Sequence, residues 1–417
     1  MSSTKSNGLE YWKILVVILC FGWVAIWIYR TVLTPIYPEI QSALGGVSDT
    51  EIGLIATFYF SAYCGGQIPA SIAVEKIGQK ITLLCGFTVF AIGTIVIANA
   101  TGISTIYLGS LLSGLGCASF FCSAYSLSGE YVPQERRAFA SAIVNSGSAV
   151  GMGIGLIGSS ILVKNMDVAW NYVLYMSAAV IFVMIVVFSL GIKSSPKVIV
   201  EKNEAENGDN VRSSSSGNGL LSSRMIAVCF LYFVTCYGYY MIVTWLPSYL
   251  QTERGFEGAA IGGASALVAM VAIPGALFFS GLSDKLQSKR NVLKLVIFLE
   301  TIAAFMLALT VLAPNTTALM IALIVYGFIG KMALDPILIS YVTDNVPKAR
   351  MARALAVFNL SGMSSSIIAP PLTGLISDIT GSKAIGFYLS AILIVVGVIA
   401  FMLINLRSNN RESLQQA

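Results

Sequence analysis

Three charged residues sit where an apolar chain should carry none. Arg30 lies in the run FGWVAIWIYRTVLTPIYPEI, and Lys331 and Asp335 lie in IALIVYGFIGKMALDPILISY, residues 321–341. Each run is long and apolar enough to cross a bilayer, which takes about 20 residues. A charge at the centre of such a helix costs about 2.5–3.5 kcal/mol even on the lenient insertion scale, so it turns to a bundle interior or watery cavity and finds a partner. Lys331 and Asp335 are four residues apart, share a helix face and can neutralise each other. Arg30 has no acid within four residues. Two cations meeting in one cavity from distant parts of the chain would hold an anion, and Asp335 adds a group able to take up a proton.

The rest of the chain must place these charges in a membrane. Of 417 residues, 56% are hydrophobic and 11% charged, with a mean hydropathy of +0.80. Globular domains carry about 25% charged residues, so the composition is that of a multi-span membrane protein. The net charge of +5 comes from basic residues in short loops, the pattern of topology signals and not of a nucleic-acid surface. The seven cysteines form no CxxC pair and there is no histidine. No metal site, disulfide framework or cofactor is therefore expected. No nucleophile stands with a base, so an enzyme is not indicated. The polar first 12 residues precede an apolar run too long for a signal-peptide core, which is read as the first span.

Twelve apolar segments follow, at about 13–40, 50–74, 80–100, 103–131, 138–163, 169–193, 223–250, 259–283, 291–313, 316–345, 351–377 and 384–407. Residues 194–222, rich in Ser, Asn and Gly, read as a flexible linker. They divide the chain into bundles of six spans at 1–193 and 223–417. Lys and Arg crowd the loops on the linker side, leaving only Lys164, Arg254 and Lys383 on the other. By the positive-inside rule, both termini and the linker are cytoplasmic in a multi-pass protein of the cell membrane. Trp12 and Trp170 fall at span ends, as interfacial anchors do. The halves also repeat: GEYVPQERRAFASAIVN (129–145) aligns with TDNVPKARMARALAVFN (343–359), and Pro38 with Pro247. Two repeats of this kind let one half rock against the other around a central site. Span 5 carries Gly147, Gly151 and Gly155 at a spacing that permits close helix contact; it is read as packing, at the sliding interface of the halves.

The loop after span 2, running from Ser71 through Glu75, Lys76, Gly78 and Lys80, resembles the G-x3-D-R-x-G-R-R signature of the major facilitator superfamily. A second copy runs from Ser280 to Asp284 and Lys285. Serines replace the leading glycines and Glu75 the aspartate. The resemblance implies an all-α fold of twelve helices in two pseudo-symmetric bundles, with spans 1, 4, 7 and 10 lining the cavity. It also implies a cytoplasmic gate from Glu75, Lys76, Gly78, Lys80, Glu130, Arg136, Asp284, Lys285, Asp344 and Arg350. More narrowly, an arginine in span 1 followed by TWLPSYLQTERGF (244–256) and IPGALFFSGLSDK (273–285) is similar to the organic-anion carriers of that superfamily, the anion:cation symporters and organophosphate antiporters. In them the arginine, here Arg30, contacts the substrate. Tyr29 stands where the symporters have an acid, and Tyr239 where the antiporters have a second arginine.

Helical periodicity then selects faces. Near Arg30 are Trp23, Trp27, Thr31 and Thr34. On span 7 are Tyr232, Cys236, Tyr239 and Tyr240, on span 10 Phe328, Lys331 and Asp335, and on span 4 Ser113, Cys117 and Phe121. The substrate-binding set is Arg30, Lys331, Trp27, Tyr239, Tyr240 and Phe328. Asp335 and Glu300 are the coupling acids, Glu300 in a peripheral span where a structural hydrogen bond is the plainer role. The expected activity is secondary transport of a small organic anion, foremost a carboxylate, by alternating access in a functional monomer, with proton or sodium symport. Exchange against a counter-anion and export of hydrophobic compounds are the alternatives.

Overall fold

The computed structural model describes residues 4–133, 136–193, 222–286, 289–346 and 351–416. Every regular element among them is helical: α1 (Thr4–Val32), α2 (Tyr37–Ala43), α3 (Asp49–Ile77), α4 (Gln79–Ala98), α5 (Ile103–Tyr131), α6 (Arg137–Ser159) and α7 (Trp170–Gly191) precede the linker. After it come α8 (Ser223–Thr252), α9 (Ala259–Lys285), α10 (Lys289–Leu312), α11 (Thr316–Ile329), α12 (Lys331–Asn345), α13 (Met351–Thr380) and α14 (Ala384–Gln416). The expected linker falls outside the described residues except for Ser222, whose hydroxyl caps α8 at the Met225 amide.

Among the described residues, eleven helical segments are long and apolar enough to span a membrane. The remaining expected span is α3, 29 residues long but less apolar than the rest. Its middle reads FYFSAYCGGQIP, and three of its aromatic residues, Tyr59, Phe60 and Tyr63, prove to face the site.

Two expected spans are broken near their charges. Span 1 bends after Arg30, where a single 3-10 turn (Thr34–Ile36) with Pro35 joins α1 to α2. Proline supplies no amide hydrogen to the helix ladder and crowds the preceding turn. Span 10 is interrupted at Gly330, between α11 and α12. Lys331 is consequently the first residue of a half-helix whose leading amides have no intrahelical acceptor.

Before the linker, α1 packs on α6 and α7, while α5 packs on α3 and α4. After it, α8 packs on α13 and α14, α9 on α11 and α12, and α10 on α11 and α14. The two groups meet where α3 lies on α13 and α6 on α9. The glycine stripe of α6 does not lie in that seam. A side chain at Gly147 would meet the Cys20 carbonyl, at Gly151 the Val24 carbonyl, and at Gly155 the Thr31 hydroxyl. The stripe seats α6 against α1, the helix that carries Arg30, and α6 uses other residues to meet α9.

Candidate functional site

Arg30 sits in a box of aromatic rings. The centroids of Trp23, Trp27, Tyr59, Phe60 and Tyr63 lie 4.7 to 5.4 Å from its guanidinium carbon. Its Nε donates to the Tyr59 hydroxyl at 2.9 Å. Its Nη2 is buried with no hydrogen-bond partner, and so is the indole Nε1 of Trp27, one turn back on the same face. Among the described residues no carboxylate pairs with Arg30. Ring faces attract a cation through their quadrupoles, but they cannot accept the hydrogen bonds that Nη2 and the indole offer. The box holds the charge in place and leaves two buried donors unpaired. Trp27 and Arg30 both line a cavity with about 50 Å³ open to the centre of a water molecule, closed on its far side by Tyr240 and Thr244 of α8.

Lys331 is half-buried and paired. Its Nζ lies 2.6 Å from Asp335 Oδ2, and the second carboxylate oxygen of Asp335 has no partner. The ammonium also lies 5.4 and 5.8 Å from the ring centroids of Tyr239 and Tyr232. Lys331 and Tyr239 line a second cavity with about 40 Å³ open to water centres, between α6 and the helices α8, α9, α11 and α12. A row of rings joins the two cations. Phe60 belongs to the Arg30 box and lies 5.2 Å from Tyr240, which lies 5.4 Å from Tyr239. Arg30, Trp27, Tyr239, Tyr240, Lys331 and Asp335 are thereby gathered at the junction of the two helix groups.

Other expected residues lie elsewhere. Phe328 packs on Phe278 and Phe279 of α9, at centroid distances of 6.1 and 5.5 Å, and lines neither cavity. Glu300 is fully buried in α10 and accepts a hydrogen bond from Thr235 of α8. Thr31 and Thr34 spend their hydroxyls on the carbonyls of Trp27 and Thr31. Ser113 is buried against Gly93 of α4, and Phe121 is exposed beside Tyr125. The residues that reading by span missed are Tyr59, Phe60 and Tyr63. They belong to span 2, outside the set expected to line the cavity. Their spacing of one and four residues on one helix face, in the least apolar span, is the signal that could have found them.

The two ends of the bundle differ. On the end away from the linker, polar contacts tie the groups together. Asp378 of α13 accepts from the amides of Asp49 and Thr50 at the start of α3, at 2.8 and 2.9 Å. Asp49 in turn accepts from Ser377 and pairs with Lys383 at 2.7 Å. Lys164 bridges Glu39 and Gln251, each at 2.6 Å. On the linker end, Gly78 turns α3 into α4 with φ of 88°, Lys80 donates to the Ser189 carbonyl, and Glu130 accepts from Gln79. These contacts stay within the first group. Glu75, Lys76, Arg136 and Lys285 are exposed. Arg350 and the side chains of Asp284 and Asp344 lie outside the described residues.

The family model described as Major Facilitator Superfamily matches residues 19–370 and 301–416. The chain belongs to the major facilitator superfamily. It is accordingly a transporter, a multi-pass protein of the cell membrane. Among relatives of this superfamily member, a putative tartrate transporter of Agrobacterium vitis is 25% identical over 86% of each chain. A probable sulfoacetate transporter of Cupriavidus necator is 23% identical, covering 93% of this chain and 92% of that one. The hexuronate transporter of Bacillus subtilis is 24% identical over 89% of each. A crystal structure of a bacterial homolog to the human lysosomal transporter Spinster, inward-facing and occupied, superposes with a TM-score of 0.78 at 16% identity, over 97% of this chain and 98% of that one.

Proposed function

We propose that this protein is a secondary active transporter of a small organic anion, a carboxylate before other classes, working by alternating access with proton symport. The observation that carries the reading is the Arg30 box: a fixed cation within the membrane, offering Nη2 and the neighbouring indole Nε1 of Trp27 to an acceptor the protein does not itself supply. A carboxylate fits, because it accepts from both and cancels the charge, and charge-assisted hydrogen bonds are the strong ones. The relatives named for tartrate, sulfoacetate and hexuronate transport, all anions, support the same class. A hydrophobic-cation exporter would need an acid where Arg30 stands.

Asp335 supplies the coupling in this reading. Its pairing with Lys331 holds the second cation away from the anion. Protonation of Asp335 releases Lys331, so proton and anion bind together. Exchange against a second anion is less favoured, because the protein carries its own counter-charge for Lys331. Glu300 serves structure, through its bond to α8. The halves 1–193 and 223–417, joined by the linker 194–222, rock as units within one monomer. With linker and termini cytoplasmic, the polar ties lie on the outer side and the conformation faces inward.

Thermal unfolding of the purified protein with carboxylates, sulfonates, phosphate esters and neutral analogues tests this. A ligand at a hundred times its Kd adds about 2.7 kcal/mol of stability. One anion class raises the Tm of the wild type, Arg30→Gln abolishes the rise, and Lys331→Gln weakens it at low pH. Stabilisation only by neutral or cationic compounds, or an unchanged response in Arg30→Gln, overturns the anion site.

A further inference from the structure

We infer that the anion is a carboxylate with a short hydrocarbon body, and not a polyhydroxylated acid. The inference rests on the anion reading above and narrows it.

The two cavities adjoin. Val243 lines both, and the Trp27 indole packs on Met152 and Leu156, which line the second. In this inference a molecule whose carboxylate meets Arg30 Nη2 and Trp27 Nε1 extends its other end past Val243 into the second cavity. The wall there is hydrocarbon: Met152, Leu156, Leu246, Val268, Ala269 and Ala272. Its polar groups are mostly spent. Ser148 and Ser265 donate to the carbonyls of Asn145 and Ile261, and Lys331 is held by Asp335. That leaves the hydroxyls of Tyr239 and Tyr326, and Lys331 once it is released, for a body that would carry a hydroxyl on nearly every carbon. A buried hydroxyl without a partner is penalised, and even one added hydroxyl is rejected by about a hundredfold in an apolar pocket. The space sets the size: a water occupies roughly 10–15 Å³ of such volume, so the second cavity takes about three or four groups the size of water or methylene.

The test measures Kd from ligand-induced Tm shifts with 4-methylpentanoate, acetate, phenylacetate, D-galactonate and L-tartrate. 4-Methylpentanoate is expected to bind at least tenfold more tightly than D-galactonate or L-tartrate. Ala269→Leu, which fills the second cavity, raises its Kd at least tenfold and leaves that of acetate unchanged. Leu156→Ala, which enlarges the cavity without adding bulk, moves preference toward phenylacetate and covers the case in which the filled variant does not fold. Tighter binding of D-galactonate or L-tartrate, abolished by Arg30→Gln, overturns the hydrocarbon-body inference and leaves the organic-anion reading standing. Loss of response to every anion in the wild type overturns both.

Discussion

Arg30 and Lys331 are both cations in apolar helices, yet the protein treats them differently. Arg30 is given rings, which hold a charge without neutralising it. Lys331 is given a carboxylate one turn away, which neutralises it. In the proposed mechanism the second arrangement is the one that would respond to pH. Binding one proton with each anion raises the anion Kd by up to about tenfold per pH unit once Asp335 is ionised. In Asp335→Asn the carboxylate is gone, Lys331 is permanently free, and anion Kd becomes flat across pH 5 to about 8, as titration by isothermal calorimetry would show. A variant that keeps the wild-type slope removes Asp335 from coupling. At this scale the sequence was readable where it was chemically anomalous: charges in apolar runs announce themselves. Tyr59, Phe60 and Tyr63 did not, because aromatic residues are ordinary in membrane helices and only the fold shows them converging on one guanidinium.

The helices place these groups by close approach and by interruption. Gly151 of α6 lies directly behind Trp27: a side chain there would collide with the Val24 carbonyl and come within 2.8 Å of the Trp27 Cβ. Gly153 on the same helix faces open space. Overpacking a tight contact costs about 1–3 kcal/mol, so Gly151→Ala lowers thermal stability by that amount and weakens anion binding as Trp27 shifts. Gly153→Ala changes neither, and equal effects of the two substitutions would sink the packing argument. The glycine spacing was legible as a close contact, but its partner was not, since any neighbouring backbone could fill such a groove and the structure chose α1 over the seam. The break at Gly330 was equally hidden. An apolar run reads as one span whether or not its amide ladder is continuous, and the interruption makes Lys331 the first residue of a new helix that has no side-chain cap.

For the whole molecule, which end is closed cannot be read from sequence, because under the proposed alternating access one chain must support both conformations. The residues that close the end away from the linker explain an oddity of charge placement. Lys164, Arg254 and Lys383 are the basic residues that break the positive-inside pattern, and each is occupied: Lys164 by Glu39 and Gln251, Lys383 by Asp49, and Arg254 by the carbonyls of Thr310, Val311 and Ala313. Two of the three tie into the closed end, so they report on conformation more than on topology. Asp378 acts there as a cap on α3 supplied by the opposite group, joining a carboxylate to free amides at the positive end of that helix. If these contacts form only while that end is shut, as the proposed alternation requires, removing them destabilises the closed state alone. Losing the cap and the Asp49 pair together costs about 2 kcal/mol, roughly a 30-fold shift in population toward opening at that end. A cysteine at Thr57, whose side chain bonds across the seam to the Ile367 carbonyl, reports the shift in a background with the native cysteines replaced. Asp49→Asn with Asp378→Asn raises its labelling by an impermeant maleimide added outside cells at least tenfold. Transport slows in the same variant, because a carrier that cannot reclose its outer end completes fewer cycles, while anion binding to the Arg30 box is retained. Unchanged labelling would move the closure from these carboxylates to the packing of Gly53 and Gly374 against the opposing backbone, where Gly374→Ala would then open the same end.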